Sequence, residues 1–253
     1  MTNEGTDAQL VERPGGAAKP GTETPAVIDE AGRQLRAPWA AGIAGLLFAI
    51  LFTGALLLLR TETFTTATDA QLAVLFATGG YLPIVIGGLY LAPFSGIMFL
   101  WFLAVVRDQI GEREDRFFAT VFFGSGLLFV ALVLAAAAVA STLVVGYLYL
   151  DQPPPSAALV AALRALSYTL LFAFATRAAA VFLISMGTIG FRSRTFPNWF
   201  AWTGYLLAAI LLLAVSFWDW SILVLPAWVA VVSLFILRRE RARRPEATPD
   251  RVQ

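Results

Sequence analysis

From residue 37 onward the chain is a succession of long apolar runs, separated by short clusters of arginine, acidic residues, glycine and proline. A bilayer core about 30 Å thick is crossed by about 20 helical residues at 1.5 Å each. Six runs match that template: 39–59, 81–106, 117–147, 168–190, 199–217 and 221–237. The third is long enough to tilt or to extend past the lipid. The pattern predicts an all-α, polytopic membrane protein, a six-helix transmembrane bundle occupying 37–239.

The flanks and connections read differently. Residues 1–36 are polar and rich in Gly, Pro, Thr and Glu, as in GGAAKPGTETP. Such a composition cannot bury enough surface to offset its ordering entropy, so a disordered cytoplasmic tail is expected. Glu4, Asp7 and Glu12 stand where a secretory signal would be basic, so the first apolar run should stay as an anchor. In DAQLAVLFATGG, Asp69 is placed to cap a short helix and Gly79 with Gly80 to end it. About ten residues cannot cross a bilayer, so 69–78 should be interfacial or re-entrant. After the third run DQPPPS breaks the chain, and 156–166 reads as an outward extension of the fourth helix, with Arg164 near lipid headgroups. The loop RDQIGEREDR places Glu112 and Arg116 at the i, i+4 spacing that pairs on a helix.

Charge placement orients the spans, because basic residues near span ends are retained in the cytoplasm. Arg33 and Arg36, then Arg107, Arg113 and Arg116, then Arg192 and Arg194, then Arg238, Arg239, Arg241, Arg243 and Arg244 all fall on one side of a six-span alternation. The other side holds only Arg60 and Arg164. Both termini are therefore expected in the cytoplasm, with 240–253 as a basic tail that sets topology. The aromatic residues fit that orientation: Tyr81, Tyr147, Tyr149, Trp218 and Trp220 form an outer belt, and Trp39, Trp199 and Trp202 an inner one.

Composition sharpens the class. Of 253 residues, 58% are hydrophobic and 14% charged, far below the charged fraction of a water-soluble surface. With 18 Lys plus Arg against 17 Asp plus Glu there is no basic field for nucleic acid. Cys and His are both absent, which removes thiolate and imidazole metal sites, His-ligated haem and His-based triads; no metal and no cofactor is expected. No carboxylate falls within a span, so proton-coupled transport and acid–base catalysis have little to work with.

Small residues at four-residue spacing let helix backbones approach in lipid, and Ala41 with Gly45, Gly88 with Ala92 and Gly96, and Gly204 with Ala208 form such stripes. Pro93 should kink the second span, and Ser95 lies beside the carbonyl it would release. Arg177, in FAFATRAAAVF, is the one ionisable side chain deep in a span. Burying it costs about 2.5–3.5 kcal/mol on insertion scales, so it receives an anion, snorkels to the outer interface, or donates to carbonyls and hydroxyls of neighbouring helices.

Two segments carry a family resemblance. FRSRTFPNWFAWTGYLLAAILLL and LAPFSGIMFLWFLAVVRDQIGEREDRFFATVFFGSGLLF resemble stretches of actinobacterial multi-pass membrane proteins, including the DUF4386-like group. The resemblance covers about a third of the chain; it implies a bacterial inner-membrane location and carries over no catalytic residue. The ratio of 17 Arg to 1 Lys fits a GC-rich genome.

The expected function is a non-enzymatic scaffold or interaction protein, in contact with membrane lipids and another membrane protein. The alternative is a transporter or lipid-binding protein with an anion site at Arg177 and Ser95 as a second candidate. Reporter fusions at the two ends of the chain are expected to light up on the same face of the membrane; signals from opposite faces would contradict the arginine count.

Overall fold

The computed structural model describes residues 38–60, 67–110, 116–193, 198–213 and 220–243. Of these, 92% are helical and none is in a strand. Seven helices follow one another. They are α1 (Pro38–Leu59), α2 (Asp69–Ala77), α3 (82–110), α4 (Arg116–Tyr149), α5 (157–193), α6 (Asn198–Leu213) and α7 (221–243). Helices α1, α3, α4, α5 and α7 are long and apolar enough to cross a membrane; α6 is apolar but, at 16 residues, shorter. The expected span 199–217 is thus seen to Leu213, and 214–217 lie outside the described residues, as do Arg113, Arg194, the 1–36 tail and 244–253.

Alanine, leucine and phenylalanine supply the helices with good formers and with apolar side chains on every face. The outward faces remain apolar: Ile50 is 67% exposed, Leu206 63% and Leu213 83%. A surface of this kind is unstable in water and suits hydrocarbon.

Helices α1, α3, α4, α5, α6 and α7 pack as a closed circuit. Each meets its predecessor, and α7 returns to α1. The last link from α6 to α7 is aromatic, through Phe200 on Trp228 (4.9 Å between centroids) and Trp199 on Phe235 (6.1 Å). Inside lie Phe48, Phe52, Phe99, Phe129, Phe122 and Phe182, whose rings meet in a chain of tilted, stacked and edge-on pairs 4.7–6.3 Å apart. Such pairs contribute about 0.5–1.5 kcal/mol each beyond their burial.

Close approach is set by glycine. A Cβ on Gly45 would strike Ser233 Oγ, and one on Gly88 would strike Ser141 Oγ. Both serines are buried, with no hydrogen-bond partner for Oγ among the described residues. Their hydroxyls sit where weak Cα–H···O contacts form at tight helix crossings. Gly42 likewise lies against Leu237, so α1 and α7 run antiparallel and Pro38 and Arg243 share one end of the bundle. At α5 and α6, Gly187 faces the Ala201 carbonyl and Gly204 the Leu183 carbonyl, each 3.3 Å from a hypothetical Cβ. The small-residue stripes are therefore contacts within this chain.

One expectation shifts, and two others gain local detail. The basic run at the C-terminus is helical to Arg243, as a continuation of α7. Arg, Glu and Ala are strong helix formers and simply propagate the turn. The cap of α2 is Thr68, not Asp69: Gln71 N–H donates to Thr68 Oγ1 (3.4 Å) and Thr68 N–H to Gln71 Oε1 (2.8 Å), a capping box. Tyr81 and Tyr147 both pack on Phe76, at 5.7 and 5.1 Å. Gly79 ends the turn after α2 with a φ of +80°, as expected of a residue that enters the left-handed region freely.

Replacing Gly45 by Val should lower stability in detergent by about 1–3 kcal/mol through overpacking against Ser233. Gly124→Ala, with nothing within 4 Å of its Cβ, is the matched control and should be neutral in the same thermal melt.

Candidate functional site

The buried apolar residues among those described form three clusters. The largest is the phenylalanine centre of the bundle, a second joins Leu72 and Phe76 of α2 to Val144 of α4 and Val160 of α5, and a third is Ala55, Ala92 and Ala137. Between the first two α4 carries an alanine run, and Ala136, Ala137 and Ala140 face Ala55 of α1 and Ala92 of α3. Five methyl groups where larger side chains would meet leave a cavity of about 360 Å³. Phe52 and Leu56 border it toward the bundle centre, and Phe76, Val144 and Val160 toward α2.

Among the described residues that line it, the charged ones are Arg60 and Arg164. Both are half-buried. Arg60 follows the last turn of α1, its N–H donating to the Leu56 carbonyl at 3.0 Å. Its guanidinium lies over the Trp220 ring at 4.4 Å and within 5.9 Å of the Phe172 centroid. Stacking of this kind is worth about 0.5–2 kcal/mol and engages the face of the guanidinium, fixing the plane in which its N–H fork lies. Arg164 reaches the cavity from α5, as do Ser167, whose hydroxyl donates to the Ala136 carbonyl across the helix pair at 2.8 Å, and Tyr168, stacked on Phe172 at 4.2 Å.

A π-helical segment, Thr169–Ala175, interrupts α5 beside the cavity, and another, Val85–Leu91, precedes Ala92 in α3. In α3 the cause is local: Pro93 has no N–H and its ring crowds the carbonyl four residues back, and widening the preceding turn relieves both. The Ala92 N–H accordingly donates to the Gly87 carbonyl, five residues back. In α5 no proline marks the place. There Thr176 Oγ1 donates to the Phe172 carbonyl (2.6 Å) and Arg177 Nη1 to the Ala173 carbonyl, both within the widened segment.

Helix α2 lies across the α2-side end of the cavity, with Phe76 against it. One long-range hydrogen bond ties α2 down: Asp69 Oδ1 accepts from the Ala157 N–H at 2.6 Å. A carboxylate there also meets the positive end of the α5 dipole, beside the Ser156 cap.

The residues singled out from sequence fall elsewhere. Arg177 is exposed on the outer side of α5, while its neighbours Ala178, Ala179 and Ala180 are buried, and it does not line the cavity. Ser95 is fully buried and donates to the Ala92 carbonyl at 2.7 Å, on its own helix. The structure does not bring the two together. Arg107 and Arg192 fold over Phe123 and Phe118 of α4 at 4.8 and 5.0 Å, at the opposite end of the bundle from Arg60. Arg238 and Arg239 extend α7 at that same end. What the sequence reading passed over was the alanine run 135–138, a visible signal of missing volume, and the coincidence of Arg60 and Arg164 as the two basic residues of the arginine-poor side.

No family model, curated protein or solved structure matches the chain.

Removing the Asp69 carboxylate as Asp69→Ala should cost about 0.5–2 kcal/mol, the scale of a helix cap. The amides of 157–159 should exchange faster by hydrogen–deuterium measurement, while those of α7 stay unchanged.

Proposed function

We propose that this protein is a non-enzymatic, six-span protein of the bacterial inner membrane, with both ends of the chain in the cytoplasm, that holds an anionic amphiphile in the cavity between α1, α4 and α5. The observation that carries this reading is the pairing of an apolar cavity of about 360 Å³ with two arginines in its lining. The volume falls within the range of small-molecule sites, and the lining has their usual character, mostly apolar with a few convergent polar groups. Guanidinium forks suit carboxylate and phosphate oxygens, and the alanine-lined wall suits a hydrocarbon tail.

Packing energetics favour a guest over a bare scaffold. The walls of an unfilled space lose their van der Waals partners. An amphiphile that fills it recovers those contacts and places its charge beside Arg60 and Arg164. On this reading the site opens toward the periplasmic side, since the arginine-rich ends lie in the cytoplasm.

The anion site moves accordingly from Arg177 to Arg60 and Arg164. Arg177 points away from the cavity and donates to a carbonyl of the π-helical segment, a role in holding its own helix together.

Native mass spectrometry of the full chain released from detergent tests the reading. The wild type should retain an anionic amphiphile, the double variant Arg60→Gln, Arg164→Gln should lose at least tenfold in its affinity, about 1.4 kcal/mol or more, and Arg177→Gln should keep it. A wild type that carries no guest and co-purifies instead with a fixed protein partner would return the scaffold role.

A further inference from the structure

The two halves of α5 are held by different partners. The inner half, 176–193, is fixed against α4 and α6. Ala178, Ala179, Ala180, Phe182 and Leu183 are buried there, and Gly187 and Gly204 bring the α5 and α6 backbones together, each facing a carbonyl 3.3 Å from a hypothetical Cβ. The outer half, 157–168, is held by α2 and α4. The Ala157 N–H donates to Asp69 at 2.6 Å, Val160 is buried in the cluster of Leu72, Phe76 and Val144, and Ser167 Oγ donates to the Ala136 carbonyl at 2.8 Å. The π-helical segment Thr169–Ala175 lies between the halves. A turn of that kind closes its hydrogen bond five residues on rather than four, so it takes up one residue more than an α turn.

That extra residue decides which side chains of the outer half face inward. With the inner half fixed, a continuous α-helix through 169–175 would advance each outer residue by one place, about 1.5 Å along the axis and about 100° around it. Ala161 would then occupy the seat of Val160, and Tyr168 that of Ser167. Val160 and Ser167 would move to the exposed positions now held by Leu159 and Leu166. The valine in the α2 cluster and the hydroxyl on the Ala136 carbonyl therefore belong to the widened register. Unlike α3 with its Pro93, the segment TLLFAFA holds no proline that would impose the wide turn.

We infer that α5 has two registers and that the docking of α2 selects between them. With α2 seated, Val160 fills the cluster and the turn is wide; with α2 released, α5 runs as a continuous α-helix and its outer half rotates. Helix α2 suits this role because one face holds it: Leu72 and Phe76 are buried, whereas Ala70, Gln71, Ala73, Val74 and Ala77 are exposed. The Asp69 bond to the Ala157 amide keeps that face in place. Rotation carries Ser167 out of the cavity wall, so the position of α2 reaches the cavity lining, whether or not the cavity holds a guest.

The chain has no cysteine, so paired cysteines report the register in the full-length protein. A disulfide needs Cα atoms within about 7 Å, which makes oxidation sensitive to a one-residue turn. Val144→Cys should cross-link with Val160→Cys and not with Ala161→Cys. Adding Asp69→Ala and Leu72→Ala, which release α2, should shift the cross-link from position 160 to position 161. Deleting Leu170 removes the extra residue from the wide turn. That variant should melt like the parent, keep the cross-link at 160 and no longer respond to Asp69→Ala and Leu72→Ala, whereas deleting Ala179 from the fixed half should prevent folding. Should the variant with both α2 substitutions fail to fold, Asp69→Ala alone and the two deletions still decide the matter. A cross-link that stays at 160 when α2 is released, the loss of both cross-links, or a Leu170 deletion as damaging as that of Ala179 would overturn the inference. The cavity reading would stand in each case, since its guest is measured separately.

Discussion

When every face of a helix is apolar and its surroundings are hydrocarbon, burial no longer distinguishes one face from another, and shape has to decide which faces meet. In this bundle that decision is made at glycine. Gly45 against Ser233 and Gly88 against Ser141 allow backbones to approach where any side chain would collide, and Gly187 and Gly204 do the same between α5 and α6. The phenylalanine centre can interlock only because those crossings hold the surrounding helices close. Everything else in the structure, including the place where packing is incomplete, follows from how far that closeness extends.

It does not extend along the whole of α4 and α5. These two helices, 34 and 37 residues long, outrun α1, and beyond its end they carry a second small cluster with α2. Where the bundle centre gives way to that cluster, alanines on α1, α3 and α4 replace the rings, and the cavity opens. The two π-helical segments flank the same level. A widened turn shifts the angular register of every residue after it, which is how Leu171 and Phe172 come to face the cavity while Arg177 faces outward. The latch from Asp69 to the Ala157 amide then fixes α2 against the projecting helix pair.

Much of the architecture was legible in the residues. Helix positions followed from apolar run length, because a bilayer imposes a minimum that few other constraints match, and the helices at 82–110 and 116–149 begin within one residue of the runs that predicted them. The turn at Gly79 and the helix at 69–77 followed from local chemistry. The candidate site was less legible. Arg177 drew attention because a charge among apolar residues is conspicuous in one dimension, whereas Arg60 and Arg164 sit near helix ends where arginine is ordinary. Their relevance comes from a shared cavity, and they stand 104 positions apart in the chain.

What the sequence alone determined is therefore the number of apolar segments, their approximate limits, the segregation of arginine to one end and the exclusion of cysteine and histidine chemistry, since each depends on composition or on neighbours along the chain. Tertiary structure alone decided which helices touch, which way Arg177 points and where space remains. Those depend on the angular register of one helix against another, and a single π-helical turn, without any residue to announce it in α5, rotates that register.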